Sequence, residues 1–168
     1  GTPVVVRPIH PDDENMMVRF HQSLSNETVR RRYFGVISLE DRIQHERLVR
    51  ICTTDHAREL VLIAEYRDDH GKSQILGVAR LSRTDLSNNG EFAIVVGDAW
   101  QGRGLGPILL EALTEFGSRE GIRHVVGTVL PDNWQMLTLC RRLGFRLNRD
   151  TAAGEIRTSL DLPYRNAA

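Results

Sequence analysis

Lysine is nearly absent from this chain: of 22 basic residues, Lys72 is the only one that is not arginine. Against 22 acidic residues the formal net charge is zero, so no bulk field draws the chain to nucleic acid or to an anionic membrane. The arginine bias reads as the coding composition of a GC-rich genome rather than as function. Cysteine is scarce as well. Cys52 and Cys140 are the only two, which excludes a disulfide framework and fits a reducing cytoplasm. No apolar run reaches the ~20 residues of a membrane span, and the opening residues do not read as a secretory leader. The six histidines are not spaced as metal ligands. His45-Glu46 begins a zinc-protease pattern, but Val49 stands where the second histidine belongs. No metal is expected. A length of 168 residues suits one domain, which at this size buries about 70% of its unfolded surface. Gly1-Thr2-Pro3 in place of an initiating methionine sets the expectation of a single domain, residues 1–168, taken from a longer protein.

What the chain does have is Gln101-Gly102-Arg103-Gly104-Leu105-Gly106, placed after the apolar run 91–96 and before an amphipathic segment. A strand that ends in a glycine-rich turn and feeds a helix makes a phosphate cradle. Its amides are unpaired, glycine lets an anion approach them, and the helix start adds partial positive charge. Arg103 adds forked donors. A P-loop would need Gly-Lys-Ser/Thr, but Pro107-Ile108 follow Gly106. The dinucleotide fingerprint would need a third glycine where Pro107 stands.

What remains, Gln-x-x-Gly-x-Gly between strand and helix, resembles the acyl-CoA pyrophosphate loop of the GNAT superfamily of N-acetyltransferases. A second segment agrees. Asn133 is followed by Met136, Leu139, Cys140 and Leu143 at helical spacing, then by Gly144-Phe145. Family members carry such a helix after their fifth strand, and the two segments stand in the family's order here. The resemblance covers nearly the whole chain.

The apolar periods predict strands at 4–9, 57–66, 74–83, 90–96, 124–130, 145–148 and 155–162. Helices are expected from Pro11 through Leu24, after a Ser25 cap, over 39–52, over 105–120 and over 133–143. The order is β-α-α-α-β-β-β-α-β-α-β-β. It fits an α+β fold: a mixed, mostly antiparallel sheet of about seven strands with helices on both faces. The resemblance implies a splay between strands 4 and 5, with acyl-CoA in the gap.

Acetyl transfer from a thioester to an amine needs the CoA held, the carbonyl polarised, the ammonium deprotonated and the thiolate released. The resemblance assigns CoA contacts to Gln101, Gly102, Arg103, Gly104, Leu105 and Gly106. It pairs the pantetheine arm with the backbone of Ile94, Val95 and Val96, an N–H near Ile94 polarising the carbonyl. Asn133 would touch the arm or a water. Cys140 stands in the cofactor-contacting set where many members carry a tyrosine that protonates the thiolate, and a thiol is a poor substitute. Glu91, at the start of the fourth strand and flanked by apolar residues, is the expected general base on a half-buried strand. Asp85 and Asp98 are weaker candidates.

Three further segments narrow the likeness. Residues 24–35, containing the triplet Arg30-Arg31-Arg32, resemble the acetyltransferase domain of bacterial Pat-type protein lysine acetyltransferases. So do Val78-Ala79-Arg80-Leu81 and Glu91-Phe92-Ala93. That resemblance implies acetyl-CoA as cosubstrate and, as partner, a protein lysine on an acetyl-CoA synthetase or another adenylate-forming enzyme. Two other readings stay open: acetylation of a small amine, and an acyl-CoA sensor without turnover.

Overall fold

Alternating branched residues build the centre of the sheet. In β2 (Glu59–Arg67), Leu60, Leu62 and Ala64 enter the core on one face, and Val61 and Ile63 enter it on the other. β2 turns into β3 (Ser73–Thr84) through a tight loop. There Asp68 Oδ1 accepts from the amides of His70 and Lys72, and Gly71 takes a positive φ of 78°. β1 (Val4–Pro8) pairs outside β2, and β4 (Asn89–Val96) pairs with β3, both antiparallel. With β5 (His124–Val129), β6 (Arg146–Asp150) and β7 (Glu155–Asp161), the seven strands take the order β1-β2-β3-β4-β5-β7-β6. This computed structural model describes residues 2–55, 57–84 and 88–163.

Among the described residues, only one junction is parallel. β4 and β5 pair at Asn89, Gly90 and Glu91 with His124, Val125 and Val126. Beyond Glu91 the two strands part, and Phe92 to Val96 remain paired to β3 alone. One edge of β4 is therefore free over that stretch, inside an otherwise continuous sheet.

Helices cover both faces. α5 (Leu105–Arg119) buries Leu105, Leu109, Leu110 and Leu113 against the first face, and α6 (Trp134–Arg142) adds Leu139 and Cys140. Each fully buried leucine is worth about 1.5–3 kcal/mol, which fixes the start of α5 beside β4. On the second face lie α1 (Glu14–Gln22), α2 (Asn26–Tyr33) and α4 (His45–Cys52), contributing Met17, Phe20, Val29 and Leu48. Among the described residues, no helix is long and apolar enough to cross a membrane.

The expected single helix over 39–52 is two. α3 (Leu39–Arg42), capped by Ser38 Oγ accepting from Asp41 N at 3.1 Å, ends at Ile43, and Gln44 turns extended before α4. The break lets Arg42 turn inward, where it is buried and donates to the His21 carbonyl at the end of α1 at 3.1 Å. The first helix also starts later than expected. Pro11–Asp13 form a 3-10 turn capped by His10, and Asp13 there accepts two hydrogen bonds of 2.8 Å from Arg7.

Where β4 and β5 part, Gly127 lies against the Phe92 ring, which itself meets Phe145 edge-on at 5.4 Å between centroids. A Cβ at Gly127 would fall 2.3 Å from Phe92 Cε1. Gly127→Ala should therefore lose about 1–3 kcal/mol of stability through overpacking, read as a lower denaturation midpoint. An unchanged midpoint would mean that the ring moves aside freely.

Candidate active site

After β4 the chain is drawn back to the sheet by Gly97, whose amide donates to the Leu76 carbonyl at 2.8 Å. A 3-10 turn, Asp98–Trp100, then delivers Gln101. Gly102 and Gly104 have φ of 71° and 87°, a region glycine enters without strain. Gly104 is the N-cap of α5 and brings no side chain to its amides. Among the described residues, the amides of 102 to 106 donate to no backbone carbonyl outside the helix. A helix of this length carries roughly half a positive charge at its start. The turn is thus a row of unspent donors at a positive dipole end, which fits a pyrophosphate. Arg103 is exposed, with its guanidinium over the Trp100 ring at 5.1 Å.

The turn forms one end of a cleft of about 460 Å³. Ile94, Val95, Val96, Gln101, Gly102, Gly104, Leu105, Gly106 and Asn133 all line it, with Met136 and Leu139 on the α6 side. The free edge of β4 runs along this cleft, so a ligand with amide groups can add to it as a strand would. Gln101 serves the frame: its Nε2 donates to the Val96 carbonyl at 3.1 Å and to Thr28 Oγ1 at 3.0 Å. Asn133 caps α6, its Oδ1 accepting from Met136 N at 3.3 Å.

Cys140 departs from the expectation. It has no exposure and sits in the core beneath α6, and the residues lining the cleft do not include it. Burial raises its thiol to about 11, against a hydrogen bond with Thr158 that works the other way. The helical face turned to the cleft carries Gln135, Thr138, Leu139 and Arg142 instead.

Glu91 sits at the last position where β4 pairs with β5. It is exposed rather than half-buried, on the outward side of a strand whose adjacent residues Gly90 and Phe92 are buried. It lines a recess of about 70 Å³ with Arg32, Phe92, Ile94, Asn133 and Met136, all of which except Phe92 also line the cleft. It also borders a wider recess of about 410 Å³ with Gly127, Thr128 and Arg157. Glu91 therefore stands between the cleft and an open surface. Of the weaker candidates, Asp85 lies outside the described residues. Asp98 is engaged in joining α2 to the turn. It accepts from Ser25 N at 3.0 Å and from Thr28 Oγ1 at 2.9 Å. Burial works to raise its pKa, and the hydrogen bonds from Ser25 and Thr28 outweigh that, holding the carboxyl below its ordinary value.

The triplet 30–32 is not a uniformly solvated face. Arg30 pairs with Glu27 and reaches across to Asp132 in the turn before α6, while Arg31 pairs with Glu27 at 3.0 Å. Arg32 is half-buried, its guanidinium 4.7 Å from the Tyr33 ring centre. Sequence reading missed the bracing by Thr28. The Ser-x-x-Thr cap was visible, but its reach to Asp98 and Gln101 depends on tertiary placement.

The family model described as "Acetyltransferase (GNAT) domain" matches residues 4–146. The chain belongs to the GNAT acetyltransferase family. GNAT enzymes use acetyl-CoA, which the free turn amides and the open β4 edge suit. An acetyltransferase of Pseudomonas aeruginosa is 27% identical over 150 residues, covering 89% of this chain and 78% of that protein. The acetyltransferase Pat of Mycolicibacterium smegmatis is 28% identical over 159 residues, covering 94% of this chain and 45% of that protein. The chain thus spans less than half the length of the mycobacterial relative. Among solved structures, the GNAT domain of Streptomyces lividans PAT superposes with a TM-score of 0.81 at 28% identity, covering 94% of this chain and 89% of that one.

Proposed function

We propose that this GNAT enzyme transfers the acetyl group of acetyl-CoA to a lysine side chain of a protein, an acetyl-CoA synthetase or another adenylate-forming enzyme of the cytoplasm. Glu91 carries the reading: a carboxylate at the point where β4 leaves β5, within reach of both the cleft and open surface. The turn 101–106 holds the pyrophosphate. The free edge at Ile94, Val95 and Val96 aligns the arm, and an N–H near Ile94 polarises the carbonyl. A lysine ammonium, with a pKa near ~10.4, must lose a proton before it attacks, and Glu91 accepts it directly or through a water. Cys140 takes no part, since a buried thiol raised to about 11 neither attacks nor donates at the cleft. The proton for the departing thiolate comes from solvent or from the amine. The Pat-like segments support the protein acceptor, and residues 1–168 serve as one acetyltransferase domain.

The test is CoA release from acetyl-CoA, measured against a panel of adenylate-forming enzymes and small amines. Release driven by the protein panel and not by free amines is the expected result. Release with small amines alone would replace the protein acceptor.

A further inference from the structure

On the face of β4 opposite α5, His21, Arg32, Tyr33, Arg47 and Arg80 meet at a small cavity of about 30 Å³ whose remaining lining is apolar side chains of α1, α4 and the sheet. The histidine has only 3% of its surface exposed, and both of its ring nitrogens lack a hydrogen-bond partner among the described residues. Buried polar groups are ordinarily satisfied, so two bare nitrogens facing a cavity call for an occupant. Burial, with Arg42, Arg47 and Arg32 nearby, pushes the imidazole down to about 4, leaving it neutral at pH 7 with one N–H to donate.

Two of the three surrounding guanidinium groups are underused as well. Arg80 is paired with Glu59, its Nη2 donating at 3.1 Å. Among the described residues, Arg47 donates only to the Tyr33 hydroxyl, at 3.3 Å, and lies 5.4 Å from that ring's centre. Arg32 stacks on the same ring. Among the described residues, neither Arg32 nor Arg47 has a carboxylate partner. Glu91 acts on Arg32 across their shared recess, but neither guanidinium has a described carboxylate in direct contact, and two half-buried groups so placed are costly unless an anion joins them. The volume accommodates a group the size of a carboxylate. Arg32 and Ala93 line both this cavity and the Glu91 recess, so the two are neighbours across one strand.

We infer that His21, Arg32 and Arg47 form a carboxylate subsite that holds an acidic side chain of the acceptor while its lysine reaches Glu91. The inference rests on the protein-lysine reading above and narrows it: the acceptor segment carries Asp or Glu beside its lysine. An acidic residue anchored here also neutralises these arginines, which would otherwise repel an incoming ammonium.

Two measurements test it. First, the His21 ring proton signals, assigned with His21→Gln, are followed by NMR as glutarate is added. A saturable shift is expected in the parent, with affinity weakened by about tenfold in Arg47→Gln, the scale of one charged hydrogen bond. Second, two peptides differing only by Glu or Gln beside the lysine are compared as acceptors. The parent should favour the Glu peptide by about tenfold in kcat/KM, and Arg47→Gln should cut that ratio below about threefold. Acetyl-CoA affinity by calorimetry reports that the variant is folded. Absence of a saturable His21 shift overturns the site. A shift with equal turnover of the two peptides overturns its acceptor role. Should neither peptide be acetylated while free glutamate is preferred to glutamine, the carboxylate site stands and the protein-lysine reading falls.

Discussion

Glu91→Gln should lower turnover by about 10²–10⁴-fold, the usual worth of a general base, while acetyl-CoA affinity stays near that of the parent. The substitution keeps the side chain's size and removes its ability to take a proton. Glu91 is exposed at the last β4 residue paired with β5, and its charge reaches Arg32 only through space, so the fold should be little changed. The turn at 101–106 borders the cleft whereas Glu91 borders only the recesses beside it, which separates the proposed binding from proton transfer. Steady-state kinetics with a protein acceptor, together with calorimetry of acetyl-CoA binding, read the two effects apart. Turnover within about threefold of the parent would fall far below a general base's contribution and remove Glu91 from the mechanism. Deprotonation would then belong to solvent or to another carboxylate.

The second large effect is expected at Gly104. Its φ of 87° and its place as the N-cap of α5 put it where an anion meets the helix amides. No atom lies within 4 Å of the place a Cβ would take, so bulk alone is tolerated there. Gly104→Glu nonetheless brings two costs. A non-glycine residue in the left-handed region loses about 1–2 kcal/mol, and its carboxylate competes with the pyrophosphate for the same donors. Acetyl-CoA affinity should fall by at least about a hundredfold, by lost charge-assisted hydrogen bonds and added repulsion. Gly104→Ala carries the backbone cost without the charge and should lose much less. Unchanged affinity in a folded Gly104→Glu variant would move the pyrophosphate away from this turn.

Much of this was legible in the chain because each feature is local. The turn at 101–106 declares itself by two glycines at positions that need positive φ, between an apolar strand and an apolar helical stripe. The alternation in β2 and β3 gives the hairpin, and Ser25 gives the start of α2. Features set by tertiary contact were not legible. The helical period runs through Ile43, and only Arg42's inward turn to the His21 carbonyl explains why the helix breaks there. Cys140 and Leu139 are both buried in the core, yet Leu139 also borders the cleft and Cys140 does not, a distinction that depends on how α6 is rotated. Glu91 falls on the outward side of the β4 alternation, and how far it is exposed depends on what packs over that face, which the periodicity of β4 alone does not encode. The gathering of His21, Arg32 and Arg47 joins α1, α2 and α4, three helices whose packing on one face is not written in any one of them.

The most direct test of the account is to incubate the protein with acetyl-CoA and an acetyl-CoA synthetase and to locate the acetyl group by peptide mass spectrometry. The account predicts one acetyl-lysine on the synthetase, formed at a rate that collapses with Glu91→Gln. Consumption of acetyl-CoA with no acetyl group on any lysine of the synthetase or of other adenylate-forming enzymes would contradict it.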